Sequence, residues 1–274
     1  MPALSTRTAD GVTVLTDDDL RWGSGVLVAF TERTGGRSSA PFSTLNLAAH
    51  VGDDPDAVDA NRASAMGSLG IGGMRDRLTM TQQVHGTSVV EVGSADVGAG
   101  AFASGGGAPP VAGADGLVTV LETVPLLLCF ADCVPVVLVA TAPQRAIAVI
   151  HAGWRGALGG IAAIGARRLA LAAGCDTSAI SAYIGPHIGV CHYEVDAALL
   201  SQFIDAFGTI VAAQGRLDLG AVVSESLNGV GVPISSVCRA GICTAERTDA
   251  FFSYRAEGLT GRHGALACIL EDQR

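Results

Sequence analysis

Three apolar runs in the middle of the chain limit the folds that this sequence can adopt. The runs VPLLLCF, VPVVLVA and AIAVI occupy residues 124–130, 134–140 and 146–150. Each run is almost free of polar residues, which is typical of strands that are buried on both faces of a sheet. The runs are also too short to form a transmembrane helix, which needs about 18 uncharged residues. They therefore predict neighbouring strands of a covered sheet.

The segments around these runs predict a mixed architecture. Two more strands are predicted over 88–92 and 116–120, where β-branched residues are frequent. Helical periodicity and flanking Asp and Gly residues predict helices over 157–174, 196–208 and 217–231. Strands and helices that alternate around a buried sheet predict an α/β or α+β sandwich. The sequence contains neither GxGxxG nor GxxxxGK[ST], so neither phosphate-loop fold is indicated.

The composition narrows the choice of partners. The chain has 274 residues, 49% of them hydrophobic, and a formal net charge of −9. All of its basic residues are arginines, and they form no basic run, so nucleic acids and anionic membranes are poor candidates. The N-terminus does not resemble a signal peptide, and we expect a cytoplasmic protein. Its 7 cysteines are an odd number without regular spacing, which indicates reduced thiols.

One segment has a biased composition. Residues 93–116 are rich in Gly, Ala and Pro, with no change of charge on either side. This pattern predicts a long flexible surface loop within one domain rather than a linker between two domains. The sequence carries no signal for an oligomeric state, and we expect a monomer.

Three residues share the context of a strand end followed by small residues. Cys133 lies between two apolar runs, His151 ends the next run, and His85 is followed by a glycine in TQQVHG. Two histidines and one cysteine are suitable ligands for a borderline-soft metal, and three protein ligands leave the open position of a catalytic zinc site. Each residue on its own is also compatible with an inert place in the core.

Copper chemistry is a weaker alternative. A four-copper oxidase needs on the order of ten histidine ligands, whereas this chain has 6. A single blue-copper site also uses two His and one Cys, so ligand type alone does not exclude one copper ion. Zinc is the expected metal.

A second group of ligand-type residues lies in YIGPHIGVCHYEV. His187, Cys191 and His192 are compatible with a metal site or with a Cys–His nucleophile pair. The proline and glycines of this segment are also typical of a turn-rich loop, which we favour as the prediction.

Arginines and asparagines supply candidates for anion binding. Arg33, Arg155, Arg255 and Arg262 lie beside aromatic or glycine residues, and glycine lets an anion approach the backbone closely. Two polar residues, Asn46 and Asn61, are candidates for substrate contacts or for helix caps.

The ordered motifs TLNLAAHVGDDPDAVDANR, TQQVHG, ADCVP, HAGWRG, GPHIGVCHYEV and FFSYRAEGLTGR resemble the YfiH-type family. Its members are known as laccase-domain or polyphenol-oxidoreductase-like proteins, as purine nucleoside phosphorylases and as peptidoglycan-editing factors. The resemblance implies one catalytic domain over residues 25–274, preceded by an N-terminal extension over residues 1–24. It also implies a layered α/β/β/α sandwich with a mixed sheet, and a zinc ion held by His85, Cys133 and His151.

The resemblance further implies a purine nucleoside phosphorylase with adenosine deaminase activity. Its substrates would be adenosine, inosine, guanosine and methylthioadenosine, together with phosphate. From the residues, Arg33, Asn46, Arg155 and Arg255 are candidates for substrate or phosphate binding. Asp132, next to Cys133, is a candidate to orient a ligand or to move a proton.

Two rival functions and one weaker one stay open at this point. An amidase that edits cell-wall precursor muropeptides would also suit a zinc site, or would use Cys133 as a nucleophile without a metal. A non-catalytic protein with a structural metal is the second rival, although structural zinc normally has four ligands. A copper-dependent polyphenol oxidase comes last.

Overall fold

The structure is a computed structural model that describes residues 1–271. The strands in this range are β1 (Ser5–Ala9), β2 (Val12–Thr16), β3 (Val26–Thr31), β4 (Val89–Glu91), β5 (Gly116–Thr119), β6 (Leu126–Phe130), β7 (Val134–Ala140), β8 (Ala146–Ala152), β9 (Ser181–Ile184), β10 (Ala212–Ala213), β11 (Arg216–Leu217), β12 (Val237–Arg239) and β13 (His263–Ile269). The α-helices in the same range are α1 (Asp18–Ser24), α2 (Pro55–Ser68), α3 (Trp154–Leu158), α4 (Ile161–Ala173), α5 (Ala197–Phe207), α6 (Leu219–Asn228) and α7 (Tyr254–Glu257). Every helix described within residues 1–271 is too short or too polar to cross a bilayer.

Two sheets form the centre of the molecule. The first has five strands in the order β1-β2-β3-β13-β6, and all of its pairs are antiparallel. The second has six strands in the order β12-β9-β7-β8-β5-β4 and is mixed, because β12 pairs with β9 and β4 pairs with β5 in parallel. A small hairpin of β10 and β11 lies apart from both sheets.

The two sheets pack face to face between two layers of helices. In β7, Val137 and Val139 join the core between the sheets, whereas Val136 and Leu138 face α4 and α6 on the other side. The five-stranded sheet has the same alternation, since Leu27 packs with Met66 of α2 in a third core cluster. Because the central strands β3, β6, β7, β8 and β13 are buried on both faces, nearly all of their residues can be apolar. The predicted α/β/β/α sandwich is confirmed by this layering and by structures of the same fold reported below.

Most of the predicted elements are present, with one difference in the helices. The helix predicted over 157–174 is interrupted, because α3 ends at Leu158 and α4 begins at Ile161. Gly160 between them has a φ of 74°, a left-handed conformation that a continuous α-helix does not contain. The central strand β13 and its neighbour β3 were not among the predicted elements.

Two other segments differ from their predicted character. Residues 1–24, predicted as an extension of the domain, supply β1, β2 and α1, and β2 continues the first sheet by pairing with β3. The loop over 93–116 is not purely a surface loop, because Ala101 and Ala114 in it are fully buried. The carbonyl oxygens of Gly100 and Ala101 accept hydrogen bonds from the buried Arg62 of α2, which explains why this loop packs on the core.

One buried hydrogen bond joins the second sheet to the turn between β2 and α1. The hydroxyl of Tyr183 in β9 donates to Asp17 at 2.7 Å. Asp17 also caps α1 by accepting from the Leu20 amide at 2.9 Å, and it accepts from the Ala3 amide at 3.0 Å. The helix that follows β2 is thereby attached to the second sheet.

We expect Tyr183→Phe to lower the free energy of unfolding by about 1.5–3 kcal/mol, since a hydrogen bond to a charged group contributes that much. Urea unfolding followed by circular dichroism measures the change. Tyr254→Phe is the matched control, because Tyr254 is exposed. Equal free energies of unfolding for the two variants would contradict the stabilising role of this bond.

Candidate metal centre and its pocket

The register of β7 and β8 brings Cys133 next to His151. The two strands are antiparallel, and Pro135 pairs with His151 while Val134 pairs with Ala152. Cys133 precedes β7 by one residue, so it lies beside the end of β8, where the apolar run stops. The pairing of the two predicted strands therefore explains why Cys133 and His151 lie close together.

His85 reaches the same place from a loop that is fixed by a buried carboxylate. The backbone amides of Val84, His85 and Gly86 donate to the Asp115 side chain at 3.2, 2.9 and 2.7 Å. His85 itself has a φ of 60°, a left-handed conformation that costs a non-glycine residue roughly 1–2 kcal/mol. The three hydrogen bonds to Asp115 offset this cost and hold the loop in place.

Asp115 orients His151 as well. The Nδ1 atom of His151 lies 2.8 Å from Oδ1 of Asp115, and the His151 amide donates to the Asp115 carbonyl oxygen at 2.7 Å. An ionised carboxylate only accepts hydrogen bonds, so Nδ1 carries the proton and Nε2 is left for another partner. Asp115 is fully buried, yet these donors outweigh its burial and hold its pKa below the usual value.

The three predicted ligands come together. One ligand atom from each of His85, Cys133 and His151 lies within 4.8 Å of the other two. The ring centroids of the two histidines are also 4.8 Å apart, in an edge-on arrangement. Gly153 makes this approach possible, since a Cβ atom there would lie 2.9 Å from Cδ2 of His85 and 3.2 Å from Sγ of Cys133. The HAGW turn therefore needs its glycine.

The electrostatics of the cluster favour a thiolate at Cys133. Burial alone would raise the pKa of Cys133, but the adjacent His151 and His85 outweigh burial and lower the pKa to about 6. Burial would likewise lower the pKa of His151, but Cys133 and Asp115 raise the pKa to about 9. The thiolate is the form in which Cys133 would ligate a metal ion, and a bound ion would displace the second proton from Nε2 of His151.

The donor set fits a metal ion. It offers one sulfur and two imidazole nitrogens, and Asp115 provides the carboxylate partner that metal-binding histidines usually have. Three protein ligands leave a coordination position open towards the adjoining cavity. The group is thus able to hold a borderline-soft divalent ion.

The cluster lies in the wall of a cavity of about 350 Å³, within the range of small-molecule pockets. The lining residues are His50, Gln83, His85, Cys129, Ala131, Asp132, Cys133, His151, Ile188, Tyr193, Tyr254, Arg255 and Arg262. A second cavity of about 310 Å³ shares His50, Gln83 and Cys129 with it. The largest cavity described, about 660 Å³, is lined by residues such as Trp22 and contains none of the predicted site residues.

Asp132 holds the arginine side of the pocket. Its Oδ1 accepts from the hydroxyl of Thr244 at 2.7 Å, and its Oδ2 accepts from the Arg255 amide at 2.6 Å. Asp132 has a φ of 89°, and its carbonyl oxygen accepts from the Ile188 amide at 3.0 Å. The side chain therefore contacts the start of α7 rather than a ligand histidine, and its predicted catalytic role stays a prediction.

The four predicted arginines lie in different environments. Arg255 and Arg262 line the pocket, whereas Arg155 lies outside the lining, with its guanidinium over the ring of Trp154. Arg33 also lies outside the lining and pairs with Glu257 at 2.8 Å.

The two predicted asparagines are buried in loop networks. Asn46 is fully buried, and its side chain bonds Asp53, Ala48 and the Arg262 amide. Asn61 lies inside α2 and bonds Arg37, Ser38, Thr44 and Asn46. The interpretation of Asn61 as a helix cap is wrong, because it occupies the middle of its helix. Substrate binding by Asn46 and Arg33 stays a prediction.

The second predicted group is divided in the structure. His187 is buried and bonded through Nδ1 to the Gly185 carbonyl oxygen at 2.7 Å. Cys191 and His192 instead form a cluster with Cys243, outside the residues that line the pocket. No local motif pointed to Cys243, because it is distant along the chain from Cys191 and His192.

Several residues of the site and its pocket were not predicted from the sequence. Asp115 lies in the Gly/Ala-rich stretch, and His50, Gln83, Tyr193 and Tyr254 lie inside the family motifs but were not among the candidate site residues. The GADG turn that precedes β5 was the one available signal for Asp115, as a carboxylate at the start of a buried strand.

The chain matches one family model and proteins named as purine nucleoside phosphorylases. A family model described as "Multi-copper polyphenol oxidoreductase laccase" matches residues 27–270. The protein named purine nucleoside phosphorylase YlmD of Geobacillus stearothermophilus is 35% identical over 250 residues, which cover 87% of this chain and 88% of that protein. A purine nucleoside phosphorylase of Streptomyces coelicolor is 35% identical over 244 residues, covering 87% of this chain and 93% of that protein.

Solved structures share the fold. The crystal structure of YlmD from Geobacillus stearothermophilus has a TM-score of 0.86 and 32% identity, and the match covers 98% of this chain and 100% of that one. The hypothetical protein YfiH of Bacillus licheniformis also has a TM-score of 0.86, with 29% identity and coverages of 97% and 99%.

We expect Asp115→Asn to weaken metal binding at this cluster by about 10–100-fold, as loss of a carboxylate partner does at other histidine sites. The amide can accept with only one of its two polar atoms, so it cannot hold both His151 and the His85 loop. Competition with a chelator measures the affinity, and far-UV circular dichroism checks the fold. Asp249→Asn is the control, because Asp249 pairs with Arg247 on the surface. Unchanged affinity in a folded Asp115→Asn variant would contradict the prediction.

Proposed function

The chain belongs to the family described as "Multi-copper polyphenol oxidoreductase laccase", and from that premise we propose that it is a zinc-dependent purine nucleoside phosphorylase. Relatives that bear this name match more than four fifths of the chain at about 35% identity. The observation that carries the proposal is the joint presence of His85, Cys133 and His151 in one pocket with two arginines. The catalytic domain would comprise residues 25–274, and residues 1–24 would extend its first sheet through β1 and β2.

His85, Cys133 and His151 would hold the zinc ion. A zinc ion at such a site supplies a Lewis acid and lowers the pKa of water to about 7. Asp115 would keep Nε2 of His151 available by bonding Nδ1, and it would hold His85 through the loop amides. The low pKa of Cys133 keeps its sulfur in the form that binds a cation.

The arginine side of the pocket would bind phosphate. Arg255 and Arg262 both line the cavity, and two guanidinium groups suit an oxyanion. Asp132 would act as a positioning residue, since its carboxylate accepts from the Arg255 amide. The hydrogen bonds described for the Arg262 guanidinium all use Nη1, which donates to the carbonyl oxygens of Thr260 and Gly261.

The aromatic residues of the pocket would contact the purine. Tyr193 and Tyr254 line the cavity, and aromatic rings stack on any base with little sequence or substituent preference. Adenosine, inosine, guanosine and methylthioadenosine are therefore all proposed as substrates. We also propose adenosine deamination, since it needs the same purine pocket and an activated water but no phosphate.

The family description itself points to an oxidase, which the ligands of this chain do not favour. A four-copper oxidase needs on the order of ten histidines. This chain has 6, and only His50, His85 and His151 are among the residues that line the described pocket. The metal donors are thus too few for several copper ions.

A second candidate function rests on the contact between Cys133 and His151. Asp115, His151 and Cys133 form a carboxylate–imidazole–thiolate series, the arrangement of a thiol hydrolase. Such an enzyme would cleave an amide, as in the editing of a cell-wall precursor, with Cys133 as nucleophile and without a metal.

The first test is elemental analysis of the purified chain combined with an adenosine assay. We expect about one zinc ion bound to the His85 cluster and adenine formed only when phosphate is present. His85→Ala should lose this ion and lower the phosphorolysis rate by at least about a hundredfold. His85 is exposed, so the variant should fold, and Ser88→Ala on the same loop is the control.

The other outcomes distinguish the candidates. Zinc without nucleoside turnover would overturn the phosphorylase and favour a zinc amidase. Full hydrolytic activity after metal removal, together with inactivation by alkylation of Cys133, would instead establish the thiol hydrolase.

The second test concerns the arginines. We expect Arg255→Gln and Arg262→Gln each to raise the KM for phosphate by about 10–100-fold, because each removes a charge-assisted hydrogen bond of about 1.5–3 kcal/mol. Adenosine deamination should change much less. Arg168→Gln is the control, since Arg168 is exposed on α4. Equal loss of both activities would contradict phosphate binding by the replaced arginine.

A further inference from the structure

A second cluster of metal-ligand side chains lies outside the pocket. One ligand atom from each of Cys191, His192 and Cys243 lies within 4.8 Å of the other two. Within residues 1–271, this and the His85 group are the two clusters with this property. A carboxylate lies beside the second cluster, because Oε1 of Glu246 lies 3.6 Å from Nδ1 of His192.

Backbone hydrogen bonds hold the segment that begins at His187 beside the segment around Cys243. His187 and Cys243 form a parallel β-bridge. The His187 amide donates to the Ile242 carbonyl oxygen at 3.3 Å, and the Thr244 amide donates to the His187 carbonyl oxygen at 3.0 Å. Beyond the bridge both segments turn, which places Cys191 and His192 against Cys243.

Gly189 allows the two thiols to lie close together, because it has no side chain. A Cβ atom at this position would lie 3.0 Å from Sγ of Cys191 and 3.1 Å from Cβ of Cys243. The Gly189 amide donates to Sγ of Cys243 at 3.2 Å. A hydrogen bond from a backbone amide is a common partner of a metal-bound sulfur. Gly189 therefore plays the same part here as Gly153 plays beside the first cluster.

Two of the separations are close to those expected around a tetrahedral ion. Bonds of about 2.3 Å to sulfur and about 2.0 Å to nitrogen and oxygen would place S and N about 3.6 Å apart, and N and O about 3.3 Å apart. Sγ of Cys243 lies 3.7 Å from Nδ1 of His192, and that nitrogen lies 3.6 Å from Glu246. Small side-chain movements would complete the geometry.

The donor set also separates a metal site from a disulfide. A bond between Cys191 and Cys243 would need an oxidant and would leave His192 and Glu246 without a role. Two thiolates, one imidazole and one carboxylate are instead four ligands, which is the number that closes a structural zinc site.

We propose that Cys191, His192, Cys243 and Glu246 bind a second zinc ion in a closed, structural site. The ion stabilises the wall of the pocket, because the carbonyl oxygens of His192 and Glu194 accept from Nη1 of Arg255 at 3.3 and 3.2 Å. Thr244, next to Cys243, bonds Asp132 in the same wall. This site does not depend on the reaction proposed above.

The test uses the full chain after metal removal, titrated with Co²⁺, whose absorption reports bound thiolates. We expect the wild-type chain to bind about two ions and His85→Ala to bind about one. In the His85→Ala background, Cys191→Ser and His192→Gln should each abolish the remaining thiolate–cobalt absorption. Both replaced side chains are exposed, so these variants should fold. Cys175→Ser in the same background is the control, because Cys175 belongs to neither cluster.

A second measurement, thermal unfolding, tests the proposed site without using the cobalt absorption. Zinc should raise the Tm of the His85→Ala variant and of its Cys175→Ser control, but not that of its Cys191→Ser derivative. Retention of the ion in the Cys191→Ser and His192→Gln variants would overturn the proposal. A disulfide between Cys191 and Cys243 in the purified chain, shown by mass and by loss of two free thiols, would overturn it as well.

Discussion

The carboxylate of Asp115 is the interaction on which the candidate centre depends. It is fully buried and accepts three loop amides and the ring of His151. Burying a carboxylate without such donors would cost free energy, so the loop amides stabilise the buried Asp115. The same hydrogen bonds hold the loop in place. The side chain of Asp115 thus fixes the position of the His85 loop relative to β8.

The sandwich supplies the rest of that frame. A one-residue slip would move every side chain of β7 and β8 into a closely packed space shaped for a different side chain, so packing specifies the pairing of the two strands. Cys133 and His151 lie at the edge where these strands end, and polar side chains can reach the cavity there without crossing the core. The position of the centre is therefore a consequence of the core, while its orientation depends on Asp115.

The sequence predicted the parts of the molecule that depend on local pattern. The runs at 134–140 and 146–150 were recognisable because both faces of those strands are apolar, and β7 matches its run residue for residue. In contrast, β13 contains Gly, Ala and Cys, and its central place depends on partners far along the chain. Asp115 and Cys243 were missed for the same reason, since neither has a partner nearby in sequence.

The two Cys–His clusters differ in a way that suits different tasks. The first has three ligand-type residues beside a cavity, and its carboxylate, Asp115, bonds the histidine on the side away from the cluster. In the second, Glu246 approaches the same nitrogen of His192 that faces Cys243, so the carboxylate would be a fourth ligand of the proposed ion rather than a partner of one. The first cluster would therefore leave a coordination position open towards the pocket, where a substrate would enter. The second cluster would have all four positions filled by the protein. Arg255, one of the two arginines that line the pocket, is bonded to that wall and so connects the two clusters.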